Sequence, residues 1–142
     1  MKSYIKRLDK EELNLIIIKD RKTIFKSGQK GMLPLLEAIE KLGLPKLSDT
    51  IVVDKLVGKA AALIICFLKA REVQTKILSM TAREILEKHE IKYSSDGIIP
   101  KILNRSGTDL CPFEKAVSDT QDPVEGYTQV VIEAKKLGIY PF

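Results

Sequence analysis

The sequence has no tryptophan, a single histidine (His89), and only two cysteines, Cys66 and Cys111, in 142 residues. One histidine excludes a histidine-rich metal site, and two thiols in a chain of cytoplasmic character do not make a disulfide framework. Long apolar runs are missing too. The longest, Ala60 to Leu68, is nine residues closed by Lys59 and Lys69, less than half of the ~20 needed to cross a bilayer. The charged, interrupted start offers no apolar h-region, so no secretory signal is expected. The phosphate-loop patterns G-x-x-x-x-G-K-[ST] and G-x-G-x-x-G are absent, as is the G-x-S-x-G nucleophile elbow.

What is present fits one soluble cytoplasmic domain spanning residues 1–142, with 44% apolar and 30% charged residues and a mass of 15.9 kDa. Such a chain has enough apolar content for a substantial core. Its lean toward Lys, Glu and Ile matches thermophile usage. The net charge of +5 comes entirely from residues 1–30, which hold nine Lys/Arg against four Asp/Glu. A basic segment can steer nucleic acid. Tyr4 and Phe25 are its only aromatics, too few to stack bases, so a solvated amino-terminal region is the preferred reading.

Along the chain, residues 2–14 form a short helix or an arm. Leu13 to Phe25 then predicts a β-hairpin turning at Asp20-Arg21. Leu35, Leu36, Ile39 and Leu42 recur at helical spacing, with Pro34 in the first turn and Gly43 at the stop. Thr50 to Asp54 predicts a buried strand, and Gly58 to Ala70 a helix apolar nearly all round, hence sandwiched inside the domain. Val73 to Leu78 predicts a further strand, and Thr81 to Glu84 a capping box opening a helix that ends near His89. Ile91 to Tyr93 and Ile98 to Leu103 read as extended segments around a Ser94-Ser95-Asp96-Gly97 turn. Helices are expected after Asp109 and from Asp122 to Gly138. Strands alternating with helices, after an initial hairpin, imply an α/β sandwich with a mixed sheet.

Two segments concentrate reactive groups. Asp54 to Ala60 leads a strand into the buried helix, placing Asp54 and Lys59 at its opening and Gly58 where close backbone approach is allowed. Asn104 to Glu114 is a polar loop that delivers Cys111 to a helix start, where thiolate is favoured, with a carboxylate one turn later. The alternative, structural reading of this segment makes Asp109 an N-cap and Arg105 its neighbour. The Gly28-Gln29-Lys30-Gly31 loop also precedes a helix whose N–H groups could bind an anion, but a plain connection is the preferred reading.

The sequence D-x-x-V-G-K-A-A-A (Asp54, Val57 to Ala62), the N-R-x-G at Asn104 to Gly107 and the C-P-x-E at Cys111 to Glu114 resemble the signatures of a prokaryotic family. That family consists of uncharacterised proteins, a domain of unknown function, assigned to the cytidine deaminase-like fold but lacking its zinc motif. The resemblance runs from the hairpin at Leu13 to the last helix. It implies a three-layer α/β/α sandwich with a mixed sheet of about five strands. In the wider superfamily a His-Ala-Glu motif and a Pro-Cys-x-x-Cys motif hold zinc. Here those positions read Gly58-Lys59-Ala60 and Cys111 with Glu114, and the proton-shuttling glutamate is an alanine. The resemblance thus implies a zinc-free protein with no cofactor, and a pocket between the helix starts at Lys59 and Cys111.

Three functional classes follow. The first is a non-catalytic pocket that binds a nucleotide-like or other anionic small molecule through Gly58, Lys59, Asn104 and Arg105. The second is an enzyme with Cys111 as nucleophile, Lys59 stabilising its thiolate, and Asp54 or Glu114 handling protons. The third is a basic nucleic-acid-binding protein. A homo-oligomer is compatible with all three.

Overall fold

Runs of β-branched residues set the sheet. A computed structural model describes residues 2–104 and 106–140. Its strands are β1 (Leu15–Lys19), β2 (Lys22–Ser27), β3 (Ile51–Val57), β4 (Glu72–Ser79) and β5 (Lys92–Ile99). They form one mixed sheet in the order β2-β1-β3-β4-β5. β1 pairs antiparallel with β2 and β3, while β3, β4 and β5 run parallel. Asp20 and Arg21 turn the hairpin with φ of 49° and 67°, the left-handed pair that suits the twist of a tight two-residue turn.

The helices divide unequally between the faces. α1 (Ile5–Lys10) lies alone on one face, where Ile5 and Leu8 meet Ile16, Ile18, Ile51 and Val53 in a small core. Strand alternation sends Leu15, Ile17 and Val52 to the other face. There the larger core is built with α2 (Leu33–Leu42), α4 (Lys59–Phe67), α5 (Met80–Lys88), α6 (Pro112–Ala116) and α7 (Pro123–Lys136). The amino-terminal arm is pinned by Gln74 of β4. Its Oε1 accepts the Tyr4 N–H at 2.7 Å, and its Nε2 donates to the Lys2 carbonyl at 2.8 Å.

Helix α4 is the middle of the molecule, buried at every residue from Ala60 to Cys66. Its neighbour α7 comes close because position 126 is glycine: a Cβ there would stand 2.8 Å from the Cβ of Leu63. Phe67 and Tyr127 stack at the same interface, ring centroids 4.4 Å apart. Among the described residues no helix is long and apolar enough to cross a membrane.

Several boundaries differ from the sequence-based expectation. β3 continues past Asp54 to Val57, and α4 stops at Phe67 because Lys69 adopts a left-handed φ of 61°. The cap of α5 is Ser79, not Thr81, its hydroxyl accepting the Ala82 N–H at 3.0 Å. Residues Ser94 to Gly97 are not a turn. They lie inside β5, paired in register with β4, and their polar character suits an edge strand whose residues alternate between exposed and half-buried. A four-residue helix, α3 (Leu44–Leu47), was not foreseen.

Candidate functional site

The parallel strand β3 and the buried helix α4 meet at Gly58, the N-cap of α4, which has no side chain to accept the helix's free N–H groups. The acceptor arrives from elsewhere in the chain. Glu114 of α6, 8% exposed, places Oε1 2.9 Å from the Lys59 nitrogen and Oε2 2.8 Å from the Ala60 nitrogen. A carboxylate held by two N–H donors at a helix N-terminus is favoured by both the hydrogen bonds and the helix dipole. The glycine is required by space and not by its backbone angles, since φ is −100°. A Cβ at position 58 would sit 2.6 Å from Glu114 Oε1 and 2.9 Å from the Ile102 side chain.

The loop before α6 holds this carboxylate in position. Cys111 donates its N–H to the Ile102 carbonyl at 3.1 Å, Leu103 bridges to Leu110, and Asn104 N–H donates to the Asp109 carbonyl at 2.8 Å. The Asn104 side chain turns inward on the loop, where Oδ1 accepts from Thr108 N–H and Ser106 Oγ, each at 3.1 Å. Asp109 pairs with Lys115 across the helix start, which holds its carboxyl below the ordinary range.

Beside the capped helix end lies a cavity of about 290 Å³. Asp54, Cys111 and Glu114 line it together with apolar side chains that include Met32, Ile102 and Phe113. Asp54 is half-buried, and loss of solvent pushes its carboxyl from 3.8 up to about 7, against the opposing pull of the Leu56 and Lys55 N–H groups. A group that gains and loses its proton near neutrality can give or take one at a bound molecule. Cys111 is half-buried, whereas Cys66 is buried and its thiol is driven up to about 12 by desolvation.

The structure gathers Asp54, Gly58, Cys111 and Glu114 around one cavity and leaves other sequence candidates outside it. Lys59 contributes its backbone N–H to Glu114, but its ammonium donates to the Ser118 carbonyl at 3.2 Å and its side chain does not line the cavity. The expected Lys59–Cys111 partnership within one pocket is therefore not what these positions provide. Asn104 is likewise outside the lining, and Arg105 falls outside the described residues. Asn14 is not among the sequence candidates, and the Lys30 loop is set aside there. Asn14 lines the cavity and ties the Gly28 carbonyl at 2.8 Å, and nothing in the local sequence marks it. Lys30 lines it too, from the loop that read as a plain connection.

Glu114 also decides the fit to zinc. Both of its oxygens already accept backbone N–H groups, and Cys111 brings no histidine or second cysteine beside it. Among the described residues no three His, Cys, Asp or Glu side chains gather as a metal site. His89, the one histidine, contacts the Gln121 carbonyl at 3.1 Å. The residues here do not suit a zinc ion.

A family described as TM1506, domain of unknown function (DUF1893), matches residues 3–133. The crystal structure of a DUF1893 family protein (TM1506) from Thermotoga maritima is similar to this one with a TM-score of 0.77. The two sequences are 28% identical, over 96% of this chain and 92% of that one. No curated protein matches the chain.

Two measurements check the site. Glu114→Ala strips the acceptor from two helix N–H groups and is expected to cost about 2–3 kcal/mol in urea denaturation. A loss below half a kcal/mol, within the ordinary surface range, contradicts the capping role. For Asp54, the folded state holds its proton more tightly than the unfolded chain, so its contribution to stability is greatest at low pH and declines as pH rises from about 4 to about 7. Asp54→Asn removes that decline. Its melting temperature relative to the unsubstituted protein is expected to rise across this window, and a difference independent of pH contradicts the shifted carboxyl.

Proposed function

The chain belongs to the TM1506 family, a domain of unknown function (DUF1893), and within that family we propose that it binds a small molecule in the Asp54 cavity. The ligand class is nucleotide-like: a flat heterocycle against the apolar wall, and an anionic group outside. The observation that carries this reading is the pairing of a largely apolar cavity with one polar, proton-exchanging carboxyl, Asp54, on its wall. A heterocycle offers adjacent donors and acceptors that a carboxyl group can meet in either protonation state. The anionic group does not go to the α4 N-terminus, because Glu114 fills that place. Lys30 is the cation available at the cavity, since Lys55 turns its ammonium to within 3.8 Å of Asp9 on the other face.

We further place the protein among cytidine deaminase-like folds that work without zinc. The order strand, glycine-opened helix, strand, and loop-to-helix junction supports this, with Glu114 on the helix N–H groups where that superfamily's second cysteine would serve the metal. Two free cysteines suit a reducing, cytoplasmic setting. Nucleic-acid binding is the weaker alternative because the basic segment is poor in aromatics. Cysteine catalysis stands as a second reading on one observation, that Cys111 and Asp54 line the same cavity.

Nucleoside 5′-monophosphates at millimolar concentration are expected to raise the melting temperature, with parent nucleosides weaker. Because an anionic ligand is repelled by ionised Asp54, affinity should fall as pH rises through about 7, and this dependence should vanish in Asp54→Asn. If no nucleotide stabilises the protein and none is released from it on denaturation, the ligand class is wrong. Brief alkylation followed by peptide mapping separates the second reading. Cys111 should be labelled well before Cys66, and equal labelling removes Cys111 as a nucleophile.

A further inference from the structure

The far end of the parallel strands holds a second cleft, of about 510 Å³, where β3, β4 and β5 begin and the β1–β2 turn closes. It is unlike the Asp54 cavity in charge. Lys2, Arg21, Arg71 and Lys92 line it, and among the described residues none of these four forms an ion pair. The backbone fixes two of them: Arg21 sits in the left-handed turn, and Arg71 donates its N–H to the Thr50 carbonyl at 2.8 Å. The Lys2 ammonium lies 5.4 Å over the Tyr4 ring.

In this basic cleft lies a buried carboxylate. Glu72 is 4% exposed and lines the cleft. Its Oε2 accepts from Gln74 Nε2 at 3.1 Å, while Oε1 has no hydrogen-bond partner among the described residues. Lys92 faces it directly in the β4–β5 register and still makes no ion pair with it. Oε1 is not sealed from solvent, since among the described residues no buried side-chain oxygen lacks a partner, so it is open to a donor in the cleft. Four cations outside any ion pair among the described residues, beside an acid with one oxygen open, suit a ligand that supplies both an anion and a donor.

We propose that this cleft binds a phosphorylated polyol of the sugar-phosphate class. The phosphate lies against Arg21 and Arg71, whose planar guanidinium groups match its oxygens, with Lys2 and Lys92 flanking. A hydroxyl of the polyol donates to Glu72 Oε1. Asp20, the other carboxylate of the cleft, stands on the turn beside Arg21 and opposes ligands that are anionic throughout.

Calorimetric titration with ribose 5-phosphate tests the assignment. One site per chain is expected, with inorganic phosphate about tenfold weaker and ribose silent. Arg71→Ala changes an exposed side chain, so it should keep the melting temperature while weakening ribose 5-phosphate about tenfold. Glu72→Gln should weaken ribose 5-phosphate relative to inorganic phosphate, which loses a repelling charge and gains. If that variant fails to fold, the ratio between the two ligands in Arg21→Ala, another exposed position, serves instead, and both should weaken together. Equal affinity for phosphate and sugar phosphate, binding indifferent to Arg71→Ala, no heat at millimolar ligand, or a polythymidylate oligonucleotide binding where the sugar phosphate does not, each overturns the proposal.

Discussion

The carboxylate of Glu114 on the first two N–H groups of α4 is the contact on which the site depends. Helix α4 is buried at almost every residue, so its amino-terminal donors have no solvent to turn to and need a partner from the protein. Gly58 leaves the room and Glu114 brings the charge to the Lys59 N–H, across a sequence separation of 55 residues. Helix α6 is only five residues long and has little stability of its own. Its position is set by this contact together with Phe113 and Val117 in the core. Cys111, the Ile102 wall and the cavity mouth take their places from the same anchorage.

That contact also sets the electrostatics next to it. A helix end that would attract a ligand anion is already neutralised from within, so the remaining cavity is governed by its apolar wall and by Asp54. Burial without a cation is what raises the Asp54 carboxyl; Lys55, its sequence neighbour, points across the sheet to Asp9. The alternation of a β-strand thus separates two adjacent charges onto opposite faces.

Much of the fold could be read from residue order. The hairpin turned where Asp20 and Arg21 stood, Gly43 ended α2, and Asp122 caps α7 by accepting the Glu125 N–H at 2.8 Å. These are local signals, in which the residues responsible lie within a few positions of their effect. Ser94 to Gly97 misled because their turn chemistry was overridden by pairing with β4, a partner some twenty residues away. The site was legible as a set of segments, and Asp54, Cys111 and Glu114, singled out from two of them, line one cavity. The direction of the Lys59 side chain was not legible. Sequence spacing gives the helical position of a lysine, whereas the Ser118 carbonyl that receives its ammonium is fixed only by tertiary packing.

The bond between Gln74 and the amino-terminal arm has a consequence for how the chain comes to be folded. Tyr4 and Lys2 find their partner 70 and 72 residues later, in a strand that must itself be seated beside β3. During synthesis these residues therefore stay untied until β4 has followed them. The small core under α1 needs β3 as well as β1, while the hairpin beside it pairs from neighbouring residues alone. The larger face waits longer still, since its core includes Val130 and Ala134 of α7.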